Sequence, residues 1–173
     1  MSERSQEMLC KALDLAEKSI QFYENTIAAC GDTLGKEVFG QLKQDKVEHM
    51  NRIKEIHDKL VKGQTWIDAC LLPEDETEDV HATFAKMAAR YDENSCPASE
   101  QAAMERALAM EKTTLVFFEY AHVKAEDDVE RAFLKRMVEE VRGHTVLLAD
   151  VQYYYEDPKG WLRDAEKGGL DGA

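Results

Sequence analysis

The chain has no two cysteines close enough to act as a unit. Cys10, Cys30, Cys70 and Cys96 stand alone, with no CxxC spacing to hold zinc, an iron of the rubredoxin type or a redox dithiol. They read as free thiols of a reducing cytoplasm. Proline and glycine are scarce too, three and nine residues respectively, while Ala, Leu, Glu, Lys and Met abound, which excludes a strand-rich fold with its many tight turns. No apolar run approaches the roughly 20 residues needed to span a bilayer. The opening MSERSQEMLCKA lacks a basic segment followed by an apolar one, so a soluble, unexported, cytoplasmic protein is expected. Positive charge is also short, with 22 Lys and Arg against 35 Asp and Glu, a net charge of −13. A phosphate backbone or an anionic membrane would repel such a surface, so neither nucleic acid nor membrane is an expected partner.

What remains is a chain of 173 residues, 44% apolar, enough for one compact domain over 1–173 with a sizeable core. Apolar residues recur at steps of three and four in four stretches. The first runs Leu9, Leu13, Ala16, Ile20, Tyr23, Ile27, Cys30; the second Phe39, Leu42, Lys46, His49, Ile53, Ile56, Leu60. The third runs Met104, Leu108, Glu111, Leu115, Phe118, His122, Ala125; the fourth Leu134, Met137, Val141, His144, Leu148, Val151, Tyr155. CGDT at 30–33 and AEDD at 125–128 read as short turns, each with an Asp available to cap the next helix, so each joins an antiparallel pair. Hairpin one spans about 3–62 and hairpin two about 99–156, with a tail over 157–173. The intervening crossover, about 63–98, is too long for a turn and is helical in pattern from about Asp75 to Arg90. The expected fold is all-α: an antiparallel four-helix bundle of two hairpins with one long crossover, the ferritin-like topology.

The two hairpins match each other at a constant shift of 95 residues, without a gap. Ala12 and Leu13 fall on Ala107 and Leu108, Phe22 on Phe117, Glu24 on Glu119, His49 on His144 and Trp66 on Trp161. Conservative pairs fill in between, among them Tyr23 with Phe118, Leu42 with Met137 and Asp45 with Glu140. The stripes superpose throughout, which makes this an internal repeat. Trp66 and Trp161 are then expected as symmetric plugs, and the aromatic QYYYEDPKGW as cover for one bundle end.

Over roughly residues 8 to 162 the chain resembles the rubrerythrin-like branch of the ferritin-like diiron proteins. The likeness is carried by AEKSIQFYEN and MEKTTLVFFEY on the first and third helices, and by DKVEH and EEVRGHTVLLADVQYYYEDPKGW on the second and fourth. That resemblance implies two irons at the bundle centre, held by a Glu from each of two helices and a Glu-x-x-His from each of the other two. Only part of this set is present. Glu111 stands seven residues before Phe118, but the equivalent residue seven before Tyr23 is Ala16; His49 and His144 are both there, but three residues upstream of them stand Lys46 and Val141.

Two readings follow from these residues. In the first, Lys46 faces Glu111 as an ion pair where the metal would stand, the pocket has a formal charge near zero instead of about −4, and two ferrous ions would be badly under-neutralised. The protein is then a non-catalytic scaffold or regulatory bundle, which could act as a homodimer; Lys46 could instead snorkel outward between helices. In the second, Asp45 and Glu140, four residues before their histidines, rotate inward and join His49, Glu111 and His144 as ligands of a non-standard iron site. That protein would be an oxidoreductase acting on peroxide or dioxygen, and lacking a rubredoxin-type centre it would need an external electron donor.

Overall fold

A computed structural model of the protein describes residues 2–31, 33–66, 80–88 and 98–168. Within these residues the structure is all helix, without a strand: α1 (Glu3–Ala29), α2 (Leu34–Val61), α3 (Val80–Ala88), α4 (Ala98–Lys124), α5 (Asp128–Glu156) and α6 (Pro158–Gly168). No helix among them is long and apolar enough to cross a membrane. Cys70 and Cys96 lie outside the described residues, as does the side chain of His81; Cys10 and Cys30 are free thiols.

Local chemistry sets the helix ends. Ser2 and Thr33 cap α1 and α2, their hydroxyls accepting from the N–H groups of Ser5 and Lys36. The carboxylate of Asp127 caps α5 by accepting from Val129 and Glu130. The cap of α2 is thus Thr33, not the neighbouring aspartate. Gly63, at φ +86°, ends α2: its N–H reaches Leu60 O and the N–H of Gln64 reaches Lys59 O, the paired bonds of a left-handed C-terminal turn that favours glycine. The expected tail after 157 is in part a helix, with Pro158 as first residue and Asp157 accepting from Gly160 N.

α1 packs along α2, and α4 along α5, each pair antiparallel about its short turn. Contacts between the pairs fix the other directions. The N-terminal part of α1 meets the C-terminal part of α4, and the C-terminal part of α2 meets the N-terminal part of α5, in one apolar cluster containing Leu9, Ile53, Ile56, Phe118, Phe133 and Met137. A second cluster at the other end joins Tyr23, Phe39, Leu42, Phe84, Met104 and Leu148. Trp66 sits against Phe133 in the first cluster, and Trp161 lies edge-on to Phe84 and Tyr154 in the second. Both indoles are buried, one at each end, as a two-fold axis perpendicular to the helices would place them.

A buried carboxylate marks each end as well. Glu130 of α5 accepts from Ser5 Oγ at 2.9 Å and pairs with Arg4 at 3.0 Å. Glu100 of α4 accepts from Thr33 Oγ1 at 2.5 Å and Tyr155 OH at 2.9 Å, and lies over Gly35. Ser5 and Glu100 are repeat-equivalent, and so are Gly35 and Glu130, so the acid has changed helix while keeping its place.

Candidate functional site

Between the two apolar clusters lies one polar layer. Glu111 of α4 is fully buried, and three helices converge on it. Lys46 Nζ of α2 donates to Glu111 Oε2 at 2.7 Å, and the hydroxyl of Tyr23 on α1 donates to Oε1 at 2.8 Å. From α5, His144 Nδ1 stands 3.4 Å from Oε2. The Lys46 side chain is only 3% exposed, so it does not snorkel to water. Burial alone pushes the Glu111 carboxyl upward, but the Lys46 ammonium and the His144 imidazole more than reverse this and hold it at about 2. The Tyr23 phenol goes the other way, well above its usual range, because it is buried against that carboxylate.

The two histidines exchange acids across the interface between α2 and α5. His49 of α2 donates through Nε2 to Glu140 of α5 at 2.5 Å, and His144 of α5 donates through Nε2 to Asp45 of α2 at 3.2 Å. Their rings stack with centroids 5.6 Å apart and planes 26° apart. Glu140 also accepts from Arg52 Nη1 at 3.1 Å and Arg136 Nε at 2.9 Å, and Asp45 from Gln41 at 2.9 Å. These neighbours distinguish the rings. Burial depresses the His49 pKa, and the positive charges of Lys46 and His144 depress it further against the pull of Glu140, so the fold disfavours a charge on His49. Burial and Lys46 also oppose charge on His144, yet Asp45 and Glu111 outweigh them and its pKa is raised. Burial raises Glu140, but the bond from His49 and the charges of Arg136 and Arg52 carry it far below the carboxylate range.

The candidate ligands thus share one layer, in which each acid already has a cation or an imidazole as its partner. Asp45 and Glu140 do not rotate inward; each reaches across to the other helix's histidine from a partly exposed position beside the seam. Among the described residues, no group of three or more His, Cys, Asp or Glu side chains is arranged to hold a metal ion. The donor chemistry points the same way. Lys46, Arg52 and Arg136 match Asp45, Glu111 and Glu140 in number, so the layer offers no excess of negative charge. Ala16 and Val141, where the resemblance requires glutamates, are buried apolar residues. These residues do not fit a pair of iron ions.

Beside Ala16 there is a small cavity of about 10 Å³, lined by Ala16, Ser19, Lys46, His49, Thr114 and Phe118. It has room for about one water. It occupies the counterpart, under the repeat, of the space filled by Glu111 and Tyr23, since Ala16 and Phe118 are their equivalents. The layer thus has a buried carboxylate and a phenol on one side of the pseudo-two-fold and Ala16 and Phe118 in their places on the other.

Sequence reasoning placed Lys46, His49, Glu111 and His144 on the buried stripes but missed Tyr23, Arg52 and Arg136 as members of the layer. Arg136 has a signal, four residues before Glu140 on one helix face. Tyr23 and Arg52 have none, because their partners sit on other helices. His122 and His57 stay outside the layer, His57 Nδ1 lying 3.6 Å from Asp58. No family model matches the chain, and neither a curated protein nor a solved structure matches it.

Proposed function

We propose that the chain is a ferritin-like bundle related to the rubrerythrins, in which an ion pair stands where a diiron centre would be bound. On this reading it works through its surface as a non-catalytic scaffold or regulatory protein. The helix directions support the kinship: α1 is antiparallel to α2 and α4, α2 to α5, and a long crossover separates the hairpins, as the ferritin-like topology requires. The repeat supports it too, since His49 and His144 meet at the pseudo-two-fold.

One observation carries the functional half of the reading, the 2.7 Å contact between Lys46 Nζ and Glu111 Oε2 in the bundle centre. Two ferrous ions bring about four positive charges, which the family offsets with carboxylates. Here the central carboxylate is already matched by a buried ammonium. Recruiting Asp45 and Glu140 instead would mean breaking their bonds to His144, His49, Arg52 and Arg136 while leaving the two guanidinium groups behind.

The test is the iron content of protein purified from iron-supplemented cells, together with its absorbance after ferrous ion and air are added. Iron far below one ion per chain and no new near-ultraviolet band are expected; stoichiometric iron or an oxo-bridged band overturns the reading. The converse variant, A16E/K46E/V141E, restores the carboxylates at the positions the family uses and should gain ferrous binding. If that variant folds and still binds none, the kinship with a metal-holding ancestor fails.

A further inference from the structure

One stripe on the outer face of α4 is apolar where most of its duplicate in α1 is polar or charged. Val116, Tyr120 and Val123 are 64%, 66% and 77% exposed, and they account for three of the seven large hydrophobic side chains exposed among the described residues. Their spacing of four and three puts them on one stripe, which exposed Ala109 and Thr113 extend. The shift of 95 maps Ala109, Thr113, Val116, Tyr120 and Val123 onto Asp14, Lys18, Gln21, Asn25 and Ala28, four of the five polar or charged. There Asp14 pairs with Lys11 and Lys18 in water. The same place in the fold accepts a charged surface, so the bundle does not demand the apolar one. A contiguous apolar stripe of this kind marks a contact surface.

We propose that a second copy of this chain covers it, α4 lying antiparallel on α4 about a two-fold axis at Val116. The stripe is self-complementary about that residue. Ala109, seven residues before it, faces Val123, seven after it, on the second copy, so small opposes large. Lys112 and Thr113 face the Tyr120 ring. Ten residues out on either side stand Arg106 and Glu126, so each end of the contact brings a guanidinium to a carboxylate. Glu126 is 83% exposed, with only a 3.8 Å approach to Arg4 to hold it. Glu105 and Asp127 also oppose each other, but the Asp127 carboxylate is turned back onto the N–H groups of Val129 and Glu130.

Charge favours this occupant. A net charge of −13 on each copy opposes self-association over most of the surface. From Arg106 to Phe118, however, the only acid on α4 is the buried Glu111, and Glu119 is bound to Arg142 at 2.6 Å. A 27-residue helix is about 40 Å long, so two such faces bury less than roughly 1,000 Å², the low end for specific dimers. The dimer is therefore expected to be a weak, concentration-dependent one.

Sedimentation equilibrium of the full chain, from micromolar to near-millimolar concentration, tests this. A monomer–dimer equilibrium is expected, with V116E raising the dissociation constant about tenfold or more by setting two carboxylates on the axis. Q21E, at the repeat-equivalent position of α1, should leave it unchanged. R106E should weaken the dimer and R106E/E126R restore it, an outcome that general damage to the fold would not produce; helicity and urea midpoints check each variant. A monomer at every concentration, or a dimer indifferent to V116E, overturns the proposal, and failure of the double exchange to restore association overturns the register.

Discussion

Lys46 and Glu111 have both given up water, Lys46 for its contact with the carboxylate and Glu111 for that contact together with those of Tyr23 and His144. Removing one partner of a buried pair strands the other charge, at a cost of about 3–5 kcal/mol, whereas replacing the whole group by apolar side chains of similar volume is neutral or stabilising. K46M should therefore lower stability by about 3–5 kcal/mol, read as the urea midpoint. Y23F/K46M/E111L, which removes the ammonium, the carboxylate and the hydroxyl that serves it, should return to the wild-type value or above. A loss of less than about 1 kcal/mol for K46M would mean that the pair is solvated rather than buried. Y23F alone leaves Glu111 with its cation but without a neutral donor, a loss of about 1.5–3 kcal/mol for a hydrogen bond to a charged group.

Among the helices, α2 was the most legible. Every residue of its sequence stripe, Phe39, Leu42, Lys46, His49, Ile53, Ile56 and Leu60, is buried, including the two polar ones. The stripes of α1 and α4 hold at Leu9, Ala16 and Tyr23 and at Met104, Glu111, Phe118 and Ala125, and are one residue off at two positions in each helix. Ala12 and Ser19 are buried where Leu13 and Ile20 were expected, and Ala107 and Thr114 where Leu108 and Leu115 were. The error is the same in both repeats and has one cause. At these four positions a small residue takes the innermost place and a bulky neighbour flanks it, so a reading that follows hydrophobicity alone drifts toward the larger side chain. The all-helical class was plain in composition and periodicity. The pairing of Asp45 with His144 and of Glu140 with His49 was not, because partners on different helices leave no mark in local spacing. Gly35 shows the same limit: nothing near it in sequence explains a glycine inside α2, yet a Cβ there would stand 2.5 Å from Glu100 Cδ. Glu100 cannot swing away without releasing Thr33 and Tyr155. G35A should thus destabilise by about 1–3 kcal/mol, as overpacking does, even though alanine is the better helix former by about 1 kcal/mol. Thermal denaturation decides the sign, and a gain in stability would show that Glu100 is free to move.

For the whole molecule, the polar layer couples folding to pH with opposite signs in its parts. Glu111 falls from 4.5 to about 2 on folding and Glu140 shifts in the same direction, so their stabilisation is present above pH 4.5 and is lost as pH falls through the folded values. His49 is depressed below 6.5 in the fold, so its contribution also disappears as pH falls through its folded pKa. His144 is raised above 6.5, so its contribution is complete below 6.5 and vanishes as pH rises through its folded pKa. The net expectation is a stability maximum bounded on the alkaline side by one histidine and on the acid side by the other together with two carboxylates. Urea midpoints measured across this range should show a steeper acid limb, three groups against one. In H144Q the alkaline limb should flatten, whatever the variant's overall loss, and the acid limb should move as well, because Glu111 and His49 lose the positive neighbour that helps hold their pKa values down. An unchanged alkaline limb in H144Q would mean that His144 is not the group held charged between Asp45 and Glu111, and the asymmetry that the duplicated layer has acquired around Glu111 would then lack its electrostatic basis.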